Sequence, residues 1–129
     1  MKRRASTILL MASLVVGCKE GVTPARICTT EARAGIQVEV RDAASGMPAA
    51  DSVTAYAQDG LFVDTLRTFP VVPPQGALTL TGVYERPGVY AVVIMKPGYR
   101  DWIHANVVVN KDECHVITVH LDARLERTP

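Results

Sequence analysis

Several things are scarce in this 129-residue chain, and each scarcity excludes a class of function. No segment carries a sustained helical period, so helix bundles and helix-borne phosphate sites have no support. No block of like charge occurs, which argues against a nucleic-acid-binding arm. The one uncharged, mostly apolar run at the start, from Ala5 to Val16, is shorter than the roughly 20 residues a spanning helix needs. There are three histidines, His104, His115 and His120. No serine stands in a nucleophile-elbow context. Catalytic, cofactor and metal-binding residues are therefore assigned to none of the positions, and no cofactor is expected.

What is present begins with an address. Lys2, Arg3 and Arg4 precede the apolar run, and Val15-Val16-Gly17-Cys18 closes it. A basic start followed by a short apolar stretch is the pattern of a signal peptide. The segment resembles the lipobox of bacterial lipoproteins. That resemblance implies cleavage before Cys18, lipidation of Cys18 and attachment to a membrane through the lipid, each buried methylene contributing about 0.8 kcal/mol. Lys19, where an acidic residue often retains lipoproteins in the inner membrane, points the same resemblance toward the outer membrane of the bacterial cell envelope. The competing expectation is an ordinary signal peptide, with Cys18 a structural cysteine.

Without residues 1–17 the chain has 112 residues, enough for one domain, and 11 basic against 13 acidic side chains leave a net charge of −2. Residues 18–34 are expected to hold the lipidated cysteine and a tether, 35–125 the domain, and 126–129 a frayed tail. Cys28 and Cys114 remain after Cys18. In an exported protein an even pair is most simply a disulfide, with two unpaired thiols as the alternative. Such a bond would staple the N-terminal segment beside the last strand. In the chain-entropy model it would stabilise by up to roughly 4–5 kcal/mol.

Apolar and polar residues alternate along the domain. Ile36, Val38 and Val40 oppose Gln37, Glu39 and Arg41, the period of two of a half-buried strand. Ser45-Gly46-Met47-Pro48 then breaks the run. A second strand, with Val53, Ala55 and Ala57 on one side, ends at Asp59-Gly60, which favours a tight hairpin. Leu61–Thr68 should return antiparallel. Phe69–Gln75, with three prolines, reads as an exposed connection. Further strands are expected over Gly76–Glu85, Val89–Met95, Tyr99–Val109 and His115–Leu125. Val89–Met95 is apolar throughout, which predicts a central strand covered at least partly on both faces. Seven short strands with regular turns predict an all-β, seven-stranded antiparallel sandwich of the Ig-like or transthyretin-like kind.

Val40-Arg41-Asp42 before Ser45-Gly46-Met47-Pro48, then Pro87-Gly88-Val89-Tyr90 and Lys96-Pro97-Gly98-Tyr99-Arg100, resemble the carboxypeptidase regulatory-like family. The resemblance spans roughly Gly35–Leu125. It implies a transthyretin-like β-sandwich serving as an accessory module rather than an enzyme. Its motifs are turn and strand-edge residues, and fold does not fix function. The Tyr-Arg-Gly-Ser ending of the related hydroxyisourate hydrolases is missing. Tyr56, Tyr84, Tyr90 and Tyr99 do not form the iron-binding pattern of intradiol dioxygenases.

The remaining candidates are few. His104 with His115 or His120, completed by Asp101, Asp112 or Glu113, would make a metal site, but solvated histidines are the default expectation. Cys114-His115 would suggest a thiol nucleophile were Cys114 not committed to Cys28. Tyr84, Tyr99 and Trp102 would suit a ligand or partner surface, since aromatic side chains bury large areas with a polar tip. The alternative places Trp102 and Tyr90 in the core, with the others packing at corners. Three functional classes follow: a non-catalytic envelope module with a protein partner, a glycan- or small-ligand-binding protein, and a small hydrolase or metal protein.

Overall fold

The structure is a computed structural model and describes residues 25–68 and 78–129. The expected signal peptide, Cys18, the tether as far as residue 24, and the whole proline-rich connection Phe69–Gln75 lie outside the described residues. The described chain is all-β. Its strands are β1 (Ala34–Asp42), β2 (Thr54–Asp59), β3 (Phe62–Thr65), β4 (Arg67–Thr68), β5 (Thr79–Tyr84), β6 (Gly88–Met95), β7 (Trp102–Val109) and β8 (Val119–Leu125).

They form two four-stranded sheets, β4-β5-β1-β8 and β3-β2-β6-β7. The apolar residues of β1 and β2 expected to share one face, Ile36, Val38, Val40, Ala55 and Ala57, are buried, and so are Val92 and Ile94 of β6. Leu80, Tyr90, Val107, Val109, Ala123 and Leu125 complete much of the same core. Removing each larger aliphatic side chain from water contributes about 1.5–3 kcal/mol.

Two features depart from a seven-stranded antiparallel sandwich. There are eight strands among the described residues, because the expected return over Leu61–Thr68 is divided. Phe62–Thr65 pairs with β2 in the second sheet, whereas Arg67–Thr68 pairs with β5 in the first. Leu66 lies between them and is buried. Its backbone N–H still donates to Ala55 O at 2.9 Å. Gly82 makes room for it, because a Cβ there would stand 2.5 Å from Leu66 Cδ2. The second departure is that β1 and β8 run parallel, with Ile36 opposite Val119 and Asp42 opposite Leu125.

The β2–β3 turn sits one residue later than expected. Asp59 pairs with Phe62, so Gly60 and Leu61 form the loop, and Gly60 has φ 58°. Glycine at the first central position suits a two-residue hairpin. In β7 the register against β6 slips between Tyr90 and Val92, and Asn106 there has φ 58°. Asparagine is among the few non-glycine residues that visit the left-handed region readily.

Candidate functional site

The most organised polar cluster lies where the N-terminal segment meets the ends of β5 and the loop before β8. The Cys28–Cys114 disulfide is present, with Cα atoms 5.3 Å apart. The next residue on each side continues the link, for Thr29 Oγ1 lies 2.9 Å from His115 Nε2. His115 Nδ1 lies 2.8 Å from Glu85 Oε1. Glu85 Oε1 also accepts from the Arg33 N–H at 2.7 Å, and Oε2 from the Val116 N–H at 3.3 Å. Across β-strand ends, one covalent bond and one side-chain chain thus run side by side.

Each part has a local cause. Asp112 Oδ1 accepts from the Cys114 and His115 N–H groups at 2.8 and 2.9 Å, closing the turn that presents both side chains. These amides hold the Asp112 carboxyl below its ordinary range. Glu85 is brought round by an unusual backbone: it has φ 53° and Val83 has φ 57°. A left-handed β-branched residue costs roughly 1–2 kcal/mol. Val83 is held there by burial and by its N–H, which donates to Asp64 Oδ2 at 2.6 Å. The Arg33 amide, followed by the His115 ring, lowers the Glu85 pKa. With an ionised carboxylate at Nδ1, the imidazole donates there. In its neutral tautomer Nε2 then accepts the Thr29 hydroxyl.

His115 is buried, contrary to the expectation of solvated histidines. The reason is that a carboxylate and a hydroxyl satisfy both ring nitrogens. No sequence motif announced this, because Thr29, Glu85 and His115 lie in three separate segments. Hydroxyl, imidazole and carboxylate in this order have the connectivity of a nucleophilic triad. Other features favour a fastening. Thr29 is a secondary alcohol on an exposed segment, and Glu85 spends much of its accepting capacity on two backbone amides.

The other histidines lie elsewhere. His104 stacks on Trp102 in β7, ring centroids 5.6 Å apart and planes at 16°. His120, on β8, lines a shallow groove of about 250 Å³ with Gln37, Glu39, Leu121 and Asp122. No group of three metal-ligating side chains occurs among the described residues.

The three aromatic candidates are not brought onto one platform. Tyr84 pairs with Ala34 at one end of β1 and is 45% exposed, its hydroxyl 3.1 Å from Thr81 Oγ1. Tyr99 hydrogen-bonds to Asp42 at the other end of β1, about 25 Å away along the strand. Trp102 is half-buried against the core.

Tyr99 belongs to a second fastening. Asp42 is 3% exposed yet accepts four hydrogen bonds. The Ala44 and Ser45 N–H groups donate to Oδ1 at 3.0 and 2.8 Å. Tyr99 Oη and Arg127 Nε donate to Oδ2 at 2.7 and 2.9 Å. The Ser45 amide above all, then Tyr99 and Arg127, hold this carboxyl far below the usual range. Residues 126–129, expected to fray, are tied in here. Thr128 N–H donates to Gly98 O at 3.0 Å, and Arg100 N–H to Glu126 O at 2.8 Å. The alternation ends at Leu125, so nothing in the pattern signalled the contact.

Comparison of the chain with models of known protein families and with curated proteins gives no match.

Proposed function

We propose that this chain is a cell-envelope lipoprotein whose β-domain is a non-catalytic interaction or structural module. The observation that carries the reading is the Cys28–Cys114 disulfide. Disulfides persist in oxidising compartments outside the cytosol, which supports export. The bond commits two of the three cysteines and leaves Cys18 as the third, at the end of the signal-like segment. Cys28 is ten residues further on, so a lipid on Cys18 would hold the domain within roughly 35 Å of the membrane surface.

The resemblance to the carboxypeptidase regulatory-like family supports a transthyretin-like sandwich for this module. Residues that carry the resemblance meet in space, since Tyr99 of the Pro-Gly-Tyr turn bonds Asp42 of the first motif. The test is metabolic labelling of the full-length protein with an alkynyl fatty acid, followed by membrane fractionation. Wild type should carry the label and sediment with membranes, and Cys18→Ser should do neither. Label retained by Cys18→Ser, or none on the wild type, would end the lipoprotein reading.

A second reading is a small hydrolase. It is favoured by the order of Thr29, His115 and Glu85 alone. Turnover of a p-nitrophenyl ester by wild type, lost in both Thr29→Ala and His115→Gln, would establish it.

A further inference from the structure

The outer surfaces of the two sheets differ in kind. The first sheet turns Glu39, Arg41, His120, Asp122 and Arg124 outward from β1 and β8, where they are exposed or half-buried. The second sheet turns no charged side chain outward from any strand. Its outward positions are Thr54, Tyr56 and Gln58 on β2, Val63 and Thr65 on β3, alternate residues Val89–Met95 on β6, and Ile103, Ala105 and Val108 on β7. Val63, Val89, Ile103 and Val108 are 55%, 51%, 65% and 50% exposed. Cross-strand pairing joins them, Val89 with Val108, and Tyr56 with Val93 and then Ile103.

The carboxylates within these four strands, Asp59 and Asp64, turn inward, and His104, exposed at the β7 edge, lies opposite the buried Val92 on that same inward side. Asp59 pairs with Arg86 at 3.0 Å, and Asp64 accepts the Val83 N–H. The sheet's two edges are also guarded. An inward-pointing carboxylate on β3 and the bulge at Asn106 in β7 are devices that discourage strand addition. The open surface is therefore the face and not an edge.

We infer that this face is the contact between two copies of the chain, packed sheet on sheet about a two-fold axis. Such an axis sets the same patch against itself, residue i on j and j on i, so a face dominated by one sign of charge would repel its copy. This face has no charge to repel. A lipid surface would favour cationic residues beside the apolar ones, and a sugar ring would favour several exposed aromatics. The face offers no cation and one half-buried tyrosine. At strand spacing it covers roughly 400 Å² in projection. Doubled across the axis this is about 800 Å², short of the floor of about 1,000 Å² for a stable specific interface. A weak, reversible dimer follows.

The inference stands whether or not Cys18 carries lipid. Its test places photo-crosslinking benzoylphenylalanine at Val93 or Ile103 in the full-length protein, with Gln37 on the first sheet as control. Irradiation should give a covalent homodimer from Val93 and Ile103, mapped by mass spectrometry to the second sheet of both copies, and none from Gln37. Adding Ile103→Glu to the Val93 probe should cut the dimer about tenfold, as like charges are forced together. A cooperative thermal melt by circular dichroism would show that the variant still folds. Adducts only to lipid, glycan or another protein would overturn the inference. So would equal dimer yields from both sheets, or no adduct at all.

Discussion

Tyr99 donates its hydroxyl to Asp42 Oδ2 at 2.7 Å, joining the turn after β6 to the end of β1 across 57 positions of sequence. Asp42 in turn closes the Ser45 turn and holds Arg127. Tyr99→Phe removes one donor from a carboxylate shielded from water, and hydrogen bonds to charged groups are among the stronger ones. The melting temperature should fall by roughly 5 °C, measured by circular dichroism, with no loss of the disulfide.

The same carboxylate sets the acid limb of stability. Its folded-state pKa is depressed, so its contribution is present above the unfolded value near 3.8 and is lost as pH falls toward the folded one. Glu85, also depressed, adds in the same direction from its ordinary value of 4.5. Urea midpoints should hold steady from pH 7 to about pH 5 and drop below about pH 4. Asp42→Asn should be less stable at neutrality, with a shallower drop in acid.

Cys28→Ser should destabilise the domain by about 2–4 kcal/mol in denaturant titration, since the bond closes a long loop in the unfolded chain. On the proposed lipoprotein reading, that variant should still sediment with membranes. Cys18→Ser should leave the denaturation midpoint unchanged.

Gly82→Ala should destabilise by about 1–3 kcal/mol, because its Cβ would press on Leu66 Cδ2 and stand 3.1 Å from Asp64 Oδ2. Leu66→Ala in the same chain should show coupling, the double variant costing less than the two single changes added. Additive costs would separate Gly82 from the crossing at Leu66.

Most strands were legible because one face of each is buried, which forces the period of two seen in Ile36, Val38 and Val40. Leu66 was not legible as a break: an apolar residue in an extended run looks alike whether the strand continues or changes sheets. The uniform run Val89–Met95 predicted cover on both sides, yet Val89 stands half in solvent. An apolar outward residue reads the same whether its cover comes from this fold or from elsewhere. The fastening at His115 depends on which segments meet, and spacing carries no trace of that. Cys28 with Cys114 was legible because an even pair, beside a signal-like segment that leads one to expect export, is most simply a disulfide.

The parallel pairing of β1 with β8 has a kinetic consequence. Strand β1 is a central strand of the first sheet, and one of its two neighbours is supplied by residues more than eighty positions later. Loop closure over that distance must precede the reward of pairing, which slows folding. While the ribosome has delivered β1 but not yet β8, the nascent chain lacks a complete first sheet. On the proposed reading of an exported chain, that delay would leave the polypeptide still able to be threaded when it reaches a translocation channel.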